Sequence, residues 1–269
     1  MQKRHPKINK HNGNFMVTTR IQSIDRALSV LEIVSESSHS LHPTEIAGQL
    51  QLPLATTHNI IRSLYFRGYL SQDKTRKYVL GHKCFQLQIP LTEHFAHLKS
   101  ITHKYVEELA DKTGDTTAVG CEYNMDLHYV TYSLGAGEII IQPRKDDANE
   151  QSMHISATGK VIIACNGIDY FKELLKMKKI KKYTDATIVD AGKMQQQIDF
   201  FKEKGFMLCY KERVNEIAAI AVAIYDKDNS FVGAIGQNFP AFFIDSKIVI
   251  PEERAELLKK YADKIKDEL

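Results

Sequence analysis

Residues 52–70, LPLATTHNIIRSLYFRGYL, change in character from one end to the other. Pro53 opens the stretch, short polar side chains follow, and the later part is apolar up to Gly68. Proline is tolerated in the first turn of a helix, and glycine suits the left-handed position just after its end. The pattern predicts a helix from Pro53 to Phe66 with a polar N-terminal end. Its core-facing side chains are predicted to be Ile60, Ile61 and Leu64.

Two shorter patterns precede this helix. One helix is predicted behind Ser23, a residue suited to the N-cap, and a second begins near Pro43. The apolar face of the first is predicted to comprise Ile24, Ala27, Leu28, Leu31 and Val34. After Gly68 the period shortens, because residues 69–80 read as two short strands around the polar tip QDKTRK. Three helices and a hairpin in this order predict a winged helix-turn-helix over residues 20–82.

In a helix-turn-helix, the second helix enters the DNA major groove by its N-terminal residues. Asparagine can bind adenine bidentately, threonine can contact phosphate or the thymine methyl group, and the helix N-terminus favours anions. The residues predicted to contact DNA from this helix are Thr56, Thr57, His58, Asn59 and Arg62. From the hairpin tip, Lys74, Arg76 and Lys77 are predicted to contact phosphate. The alternative for the polar cluster alone is a capped surface helix.

The distribution of charge favours the DNA interpretation. Residues 1–82 hold eleven Lys and Arg against five Asp and Glu, which gives +6 and leaves −3 for the rest of a chain whose net charge is +3. A basic module joined to an acidic one is expected when only the first meets a polyanion. Residues 1–19 are predicted to form a disordered basic arm.

The second part of the chain has a different pattern. Residues 83–98 are predicted to form a linker helix that Pro90 kinks or interrupts. Residues 99–269 alternate between helical segments and strand-like segments. The predicted strands include residues 116–123, 127–134, 138–143, 217–226 and 230–239. Because the strands come in hairpins with helices around them, the fold class is α+β with a mainly antiparallel sheet.

Three segments together resemble a known family. Residues 21–81, the segment HISATGKVIIA (154–164) and the segment KGFMLCYKERVNEIAAIAVAIYDKDNSFVGAIG (204–236) are similar to the IclR family of bacterial transcription regulators. The resemblance extends from about Arg20 to the C-terminus. It implies a GAF-like effector-binding domain over residues 99–269. Glu216 stands where the family pattern has glycine, and Ala223 where it has proline. The identity of the effector therefore does not carry over from any member.

The segment after His154 is predicted to bind an anion. Ser156 can cap a helix, which leaves the N–H groups of Ala157 and Thr158 in a first turn suited to a carboxylate. The resemblance implies an apolar wall from Ile217 and Ala219, with Gly236 and Asn238 on the far side. Asn238 favours a polar acid such as a sugar acid, while Cys209 and Tyr210 leave an aromatic acid open. The alternative is a simple buried helix start.

Catalysis is the weaker hypothesis. The SATGK segment does not match a phosphate loop, because His154 stands where the leading glycine belongs and Val161 follows the lysine. The four cysteines lie 37, 44 and 44 residues apart, which is not metal-ligand spacing, so they are expected to be reduced thiols. No enzymatic activity, cofactor or metal is predicted. A sensor enzyme with a nucleic-acid-binding domain and an architectural DNA-binding protein are the competing classes.

The sequence thus predicts a transcription regulator that binds a double-stranded DNA operator under the control of a small organic acid. It is expected to be a homodimer or tetramer, because paired helix-turn-helix modules bind pseudo-palindromic sites. A cytoplasmic location is expected, with no membrane association, since no apolar run approaches the roughly 18 residues of a membrane span.

Overall fold

The structure is a computed structural model that describes residues 21–141, 153–177 and 179–269. The predicted arm over residues 1–19 lies outside these ranges. The chain divides into two compact units, one up to Pro90 and one from Leu91 onward. The elements of the first part are α1 (Gln22–Glu36), α2 (Pro43–Leu50), α3 (Leu54–Phe66), β1 (Leu70–Gln72), β2 (Tyr78–Leu80) and α4 (His82–Thr113).

The remaining elements belong to the second unit. They are β3 (Thr116–Tyr123), β4 (Asp126–Ser133), a 3₁₀ turn (Met153–Ile155), α5 (Ala157–Asn166), α6 (Ile168–Lys176), α7 (Ala191–Lys204), β5 (Met207–Tyr210), β6 (Ile217–Tyr225), β7 (Phe231–Pro240), α8 (Phe242–Asp245) and α9 (Pro251–Glu268).

The first unit is the predicted winged helix-turn-helix. Its core joins all three helices and the hairpin through Val30, Val34, Leu41, Ile46, Ile61 and Leu70. A capping box starts α2, since the His42 ring accepts from Thr44 N–H and Glu45 accepts from the His42 N–H at 2.6 Å. Gln51, in the left-handed region at φ 54°, makes the turn towards α3. Gly68 lies just after the end of α3 in the left-handed region, at φ +77°, as predicted.

The predicted face of α1 is only partly correct. Ile24 is 53% exposed and Leu28 is 51% exposed, although the sequence placed both in the core. The side chains that are buried are Val30 and Val34. The apolar residues of α1 occupy two stripes, so their spacing does not determine which stripe faces the core. The helix also begins at Gln22, with Ile21 at the N-cap and no side-chain cap from Ser23.

A single helix, α4, covers the stretch where the sequence predicted a linker helix and a separate amphipathic helix. A proline removes only one backbone donor from a helix. Because α4 has 32 residues, its other hydrogen bonds are sufficient for the helix to continue past Pro90. Among the described residues, no helix combines the length and the apolar character that a membrane crossing requires.

The second unit is built on an antiparallel sheet with strand order β4-β3-β7-β6-β5. Helices cover both faces. On one face, α9 and the later part of α4 pack on Val119, Ile220 and Ile235. On the other face, α5, α6 and α7 pack on Met207, Ala221 and other small or apolar side chains. The α+β class with a mainly antiparallel sheet is confirmed, and GAF-like describes it fairly.

One predicted strand is wrong within the described residues. Residues 138–141 have no strand structure, and the rest of the predicted segment, residues 142–143, lies outside the described ranges. Ile139 and Ile140 are 47% and 43% exposed, so the apolar run is not packed as a buried strand would be. The Ile141 carbonyl accepts instead from the Thr116 hydroxyl at 2.7 Å.

Candidate functional site

The N-terminal end of α3 presents polar side chains to solvent. His58, Asn59 and Arg62 are exposed and Thr56 is half-buried. Pro53 occupies the N-cap and provides no side-chain cap. The first N–H groups of the helix therefore have no intrahelical acceptor and are available to an anion. The helix contains no Asp or Glu that would repel a phosphate backbone.

Thr57 is an exception among the predicted DNA-contacting residues. It is 0% exposed, so its predicted contact with DNA is wrong. Its hydroxyl donates to the Pro53 carbonyl at 3.3 Å, which satisfies the buried oxygen. Thr57 lies one turn before the buried Ile61, so the two side chains share the face that packs on α1 and α2.

The hairpin tip of the first unit is held by Asp73. One carboxylate oxygen accepts from Thr75 N–H and Thr75 O–H, both at 2.7 Å, and from Lys77 N–H at 3.1 Å. Hydrogen bonds from Ser40 and Thr75 lower the pKa of Asp73 to about 2. Lys74 and Arg76 are exposed at this tip, whereas Lys77 is half-buried. The tip can therefore present two exposed cations to a phosphate backbone.

The second candidate feature is the start of α5. Ser156 caps the helix as predicted, since its hydroxyl accepts from Gly159 N–H at 3.0 Å. Gly159 permits a close approach to the 3₁₀ turn, because a Cβ there would lie 2.3 Å from the Met153 carbonyl oxygen. Residues 157–164 of α5 are all buried.

A small, partly open cleft of about 10 Å³, close to the space that one water molecule needs, lies between the start of α5 and the sheet. Five of the eight predicted effector-binding residues line it: Ala157, Thr158, Ala219, Gly236 and Asn238. The strand register explains the cluster, since Asn238 lies opposite Ala219. No side chain fits at Gly236 without movement of its neighbours, because an added Cβ would lie 2.9 Å from Ala221 Cβ and 3.0 Å from Thr158 Cγ2.

Four further residues line the cleft that the sequence did not reveal: Ala118, Tyr129, Ile220 and Gln237. The Tyr129 hydroxyl lies 3.3 Å from the Thr158 hydroxyl, and burial raises the pKa of this tyrosine. Gln237 lies between Gly236 and Asn238 on β7, so its backbone could have been expected at the cleft once its two neighbours were. Tyr129 had no such signal, because a bulge between Val119 and Gly120 shifts the pairing of β3 with β4.

Three predicted effector-binding residues lie outside the cleft. Tyr210 points to the opposite face of the sheet, where its hydroxyl donates to Asp245. Ile217 pairs with Pro240, beyond the last cleft residue of β7. Cys209 is buried one strand farther from the cleft, and burial raises the pKa of its thiol to about 12. The sequence did not show which face of the sheet each of these side chains occupies, or how far along its strand each lies from the cleft.

An ion pair that the sequence did not predict lies beneath the start of α5. Lys160 is 0% exposed and Glu212 is 5% exposed, and the lysine ammonium bonds directly to the carboxylate. The other carboxylate oxygen accepts from Ile188 N–H at 3.4 Å. Burial raises the pKa of Glu212, and Lys160 opposes that rise. The partners are 52 residues apart, so spacing carries no signal of the pair.

His154 belongs to the same buried region. Its Nε2 donates to the Lys181 carbonyl at 2.7 Å, which fixes the neutral ring with the proton on Nε2. Among the described residues, Nδ1 has no hydrogen-bond partner. Burial lowers the pKa of His154, and the nearby Lys160 also lowers it. The ring therefore acts as a neutral structural group.

Two family models match the chain. The model described as bacterial transcriptional regulator IclR C-terminal matches residues 92–267, and the IclR helix-turn-helix domain matches residues 23–74. Among curated relatives, the HTH-type transcriptional regulator XynR of Escherichia coli (strain K12) is 26% identical over 80% of this chain and 84% of that protein. The glycerol operon regulatory protein of Streptomyces coelicolor is 26% identical with the same coverage.

Solved structures have the same fold. The Thermotoga maritima IclR structure has a TM-score of 0.70 at 21% identity, covering 93% of this chain and 99% of that one. An IclR homolog from Microbacterium hydrocarbonoxydans, complexed with 4-hydroxybenzoate, has a TM-score of 0.70 at 16% identity, covering 92% and 98%.

A winged helix-turn-helix together with an antiparallel-sheet domain that has a small cleft at the start of α5 defines a class, the DNA-binding regulators with a sensor domain. The chain belongs to the IclR family of bacterial transcriptional regulators.

Proposed function

We propose that this regulator changes its affinity for an operator when a small organic acid binds in the cleft of the second unit. The observation that supports this most directly is the first turn of α5. The Ala157 and Thr158 residues of that turn line the cleft, and first-turn N–H groups at the positive end of a helix favour a carboxylate. The cleft measures about 10 Å³, close to the space of one water molecule, so a bound acid requires the surrounding side chains to move apart.

The other cleft groups favour an acid that carries a second polar group. Asn238 has both donors and an acceptor, and the Tyr129 and Thr158 hydroxyls, which lie 3.3 Å apart, also line the cleft. A ligand hydroxyl or carbonyl can bond to these groups while Ala118 and Ala219 contact its apolar part. The bound 4-hydroxybenzoate of the Microbacterium relative is an acid with a hydroxyl group.

The acid is tested with a panel of gluconate, 4-hydroxybenzoate and propionate, with glycerol and choline as uncharged and cationic controls. An acid at a hundred times its dissociation constant should stabilise the protein by about 2.7 kcal/mol, measured by thermal unfolding. Asn238→Ala should weaken the binding of the polar acids and leave the binding of propionate unchanged. Ala157→Phe should block every acid. Stabilisation by the controls alone, or unchanged binding in Ala157→Phe, would show that the carboxylate site is elsewhere.

The DNA side is tested by selecting duplexes from a randomised library with the full-length protein. The selected duplex should contain two half-sites spaced by about one helical turn or a multiple of it. Its dissociation constant should change when an acid from the panel is added. A protein that selects no sequence, or whose DNA affinity no acid changes, would instead fit an architectural role. No acid of the panel should be consumed on prolonged incubation, since we infer no enzymatic activity.

We also infer that the regulator acts in the cytoplasm as a homodimer or tetramer. Ile21, Ile24 and Leu28 form an apolar stripe on α1 with exposures of 61%, 53% and 51%. A contiguous exposed apolar stripe supports association with another chain. Sedimentation should detect a dimer or tetramer, and the double variant Ile24→Glu/Leu28→Glu should weaken it more than Glu32→Gln on the same helix. A wild-type monomer at concentrations that bind the duplex would contradict association.

A further inference from the structure

A buried hydrogen-bond network connects four elements of the second unit. Arg254 of α9 donates to the Asp115 carboxylate and, at 2.8 Å, to the side-chain oxygen of Gln237. The Gln237 amide nitrogen donates to the Thr113 hydroxyl at 2.7 Å and to the Thr117 hydroxyl at 2.8 Å. Gln237 is 1% exposed and Asp115 is 5% exposed. Every polar atom of the Gln237 side chain is therefore engaged away from water.

The position of Gln237 on β7 connects this network to the cleft. Gly236 and Asn238, its two neighbours, line the cleft on the α5 face of the sheet. Successive side chains of a strand point to opposite faces, so the Gln237 side chain lies on the face covered by α9 and α4. Any movement of β7 caused by a ligand at Asn238 therefore reaches Gln237 through one peptide bond.

Thr113 is the last residue of α4, and its hydroxyl also donates to the Leu109 carbonyl at 2.8 Å. Gly114 then ends the helix at φ +75°, and its carbonyl accepts from Gly137 N–H at 3.1 Å. The covalent connection between the two units, at residues 90–91, lies inside α4. Gln237 thus bonds the end of the helix through which the chain enters the second unit.

We infer that Gln237 is a positioning residue that transmits occupancy of the cleft to α4 through its bond to Thr113. This role rests on the proposed function, since it requires an acid that binds the cleft and changes DNA affinity. A buried amide bonded to three elements keeps all its hydrogen bonds in only a narrow range of strand positions. A small shift of β7 therefore changes the Gln237–Thr113 bond, and with it the position of the α4 end. Coupling between two sites by a factor of about 5 to 150 is typical of allosteric proteins.

The test compares two isosteric variants of the full-length protein, Thr113→Val and Thr117→Val. Each removes one hydrogen bond from the Gln237 amide, but only the first removes the bond to α4. The coupling factor is the ratio of dissociation constants for the selected duplex with and without saturating 4-hydroxybenzoate, and separately with gluconate. Thr113→Val should bring this factor close to one, while Thr117→Val and Thr113→Ser should keep it within about twofold of wild type.

Two further measurements separate transmission from a merely structural role. The dissociation constant of the acid for DNA-free protein should stay within about twofold in all three variants, since none of the substituted side chains lines the cleft. The melting temperature should fall in both variants and more in Thr113→Val. That variant loses bonds to Gln237, the Leu109 carbonyl and Asp115 N–H, whereas Thr117→Val loses bonds to Gln237 and the Asp115 carbonyl. Gln237→Met, which removes all the amide bonds, should lose coupling as Thr113→Val does.

The outcomes are distinguishable. Coupling that is present in wild type and persists in Thr113→Val or Gln237→Met overturns the role of Gln237 and leaves the proposed function intact. Equal loss in Thr113→Val and Thr117→Val also overturns it, because α4 would then have no special part. Absence of coupling in the wild type overturns the proposed function and the role of Gln237 together.

Discussion

The starts of α3 and α5 are chemically alike and differ in their surroundings. Both have a threonine in the first turn, Thr56 and Thr158, and both have first-turn N–H groups without intrahelical acceptors. At α3 the polar side chains of His58 and Asn59 are exposed and no side chain caps the helix. At α5 the residues from Ala157 to Ala164 are buried and Ser156 caps the helix. The same helix-end chemistry thus suits a macromolecule in one unit and a small molecule in the other.

The two helix ends also differ in how they are supported. The exposed side chains at the start of α3 can be substituted without disturbing the core, whereas Thr57 is buried. The start of α5 stands on the buried pair of Lys160 and Glu212, and burial of charge is costly unless the charge is paired. Substitutions at α3 should therefore change recognition, whereas substitutions under α5 should change folding.

The largest effect is expected beneath α5. Lys160→Met leaves the Glu212 carboxyl without its partner, which should lower the free energy of unfolding by about 3–5 kcal/mol. The double variant Lys160→Met/Glu212→Leu should lose less, because no unpaired charge remains. Urea unfolding followed by amide hydrogen exchange reports the second unit separately.

The matched control for that variant is Lys176→Met. It removes an exposed pair with Glu173 at 2.6 Å, which should change the free energy of unfolding by about 0–1 kcal/mol. If Lys160→Met costs no more than Lys176→Met, the buried pair does not support the start of α5, and the contrast between the two helix ends loses its basis.

The next effect is expected at α3. Asn59→Ala should leave the unfolding free energy unchanged and reduce discrimination between the selected duplex and single-base variants by about 1–3 kcal/mol. Ile61→Ala, two residues along on the buried face, should instead cost about 2–5 kcal/mol of stability. Duplex titrations and chemical unfolding of both variants check this. A destabilised Asn59→Ala with unchanged discrimination would mean that this face of α3 does not meet DNA.

Much of the fold was predictable because its signals are local. The boundaries of β3 agree with the prediction, and α7 ends at Gly205, which has φ +74°. The cap at Ser156 and the start of α9 at Pro251 follow from side-chain chemistry within one turn. Such features need no knowledge of what packs against the helix or strand.

The failures of prediction concern tertiary contacts. Thr57 looks polar in sequence, but its place one turn before Ile61 puts it in the core. The spacing of Ile24 and Leu28 is helical, yet another stripe of α1 faces the core. Tyr129 reaches the cleft only through a bulged strand pairing, and Glu212 meets Lys160 only through the fold of the sheet. Each of these depends on distant residues that periodicity does not identify.

A smaller effect is expected from His154. Because burial lowers its pKa, the folded ring stays neutral while the unfolded ring gains a proton below about pH 6.5. Its contribution to stability is thus present above that pH and is lost as pH falls, by up to about 1.4 kcal/mol per pH unit. Glu212, with its raised pKa, acts in the opposite direction, since its contribution is lost as pH rises.

The contribution of His154 is therefore measured as a difference between wild type and His154→Gln, which can keep a donor towards the Lys181 carbonyl. The unfolding free energy of the variant should fall less between pH 7 and pH 5. His58→Gln, which removes an exposed imidazole, is the control and should follow wild type. Parallel profiles for wild type and His154→Gln would show that the ring does not stay neutral in the folded protein.

The smallest expected effect distinguishes two hairpin tips of similar construction. At the tip between β1 and β2, Asp73 accepts from Thr75 N–H, and at the tip between β6 and β7, Asp226 accepts from Asp228 N–H at 2.9 Å. Lys74 and Lys227 are exposed at these tips. Lys74→Gln should flatten the plot of log affinity against log salt by about 0.9, equally for the selected and unrelated duplexes, because one phosphate contact is lost. Lys227→Gln removes the same charge from the second unit and should leave the slope unchanged. If both lysines shift the slope alike, net charge alone governs the effect, and the tip of the first unit does not contact the DNA backbone.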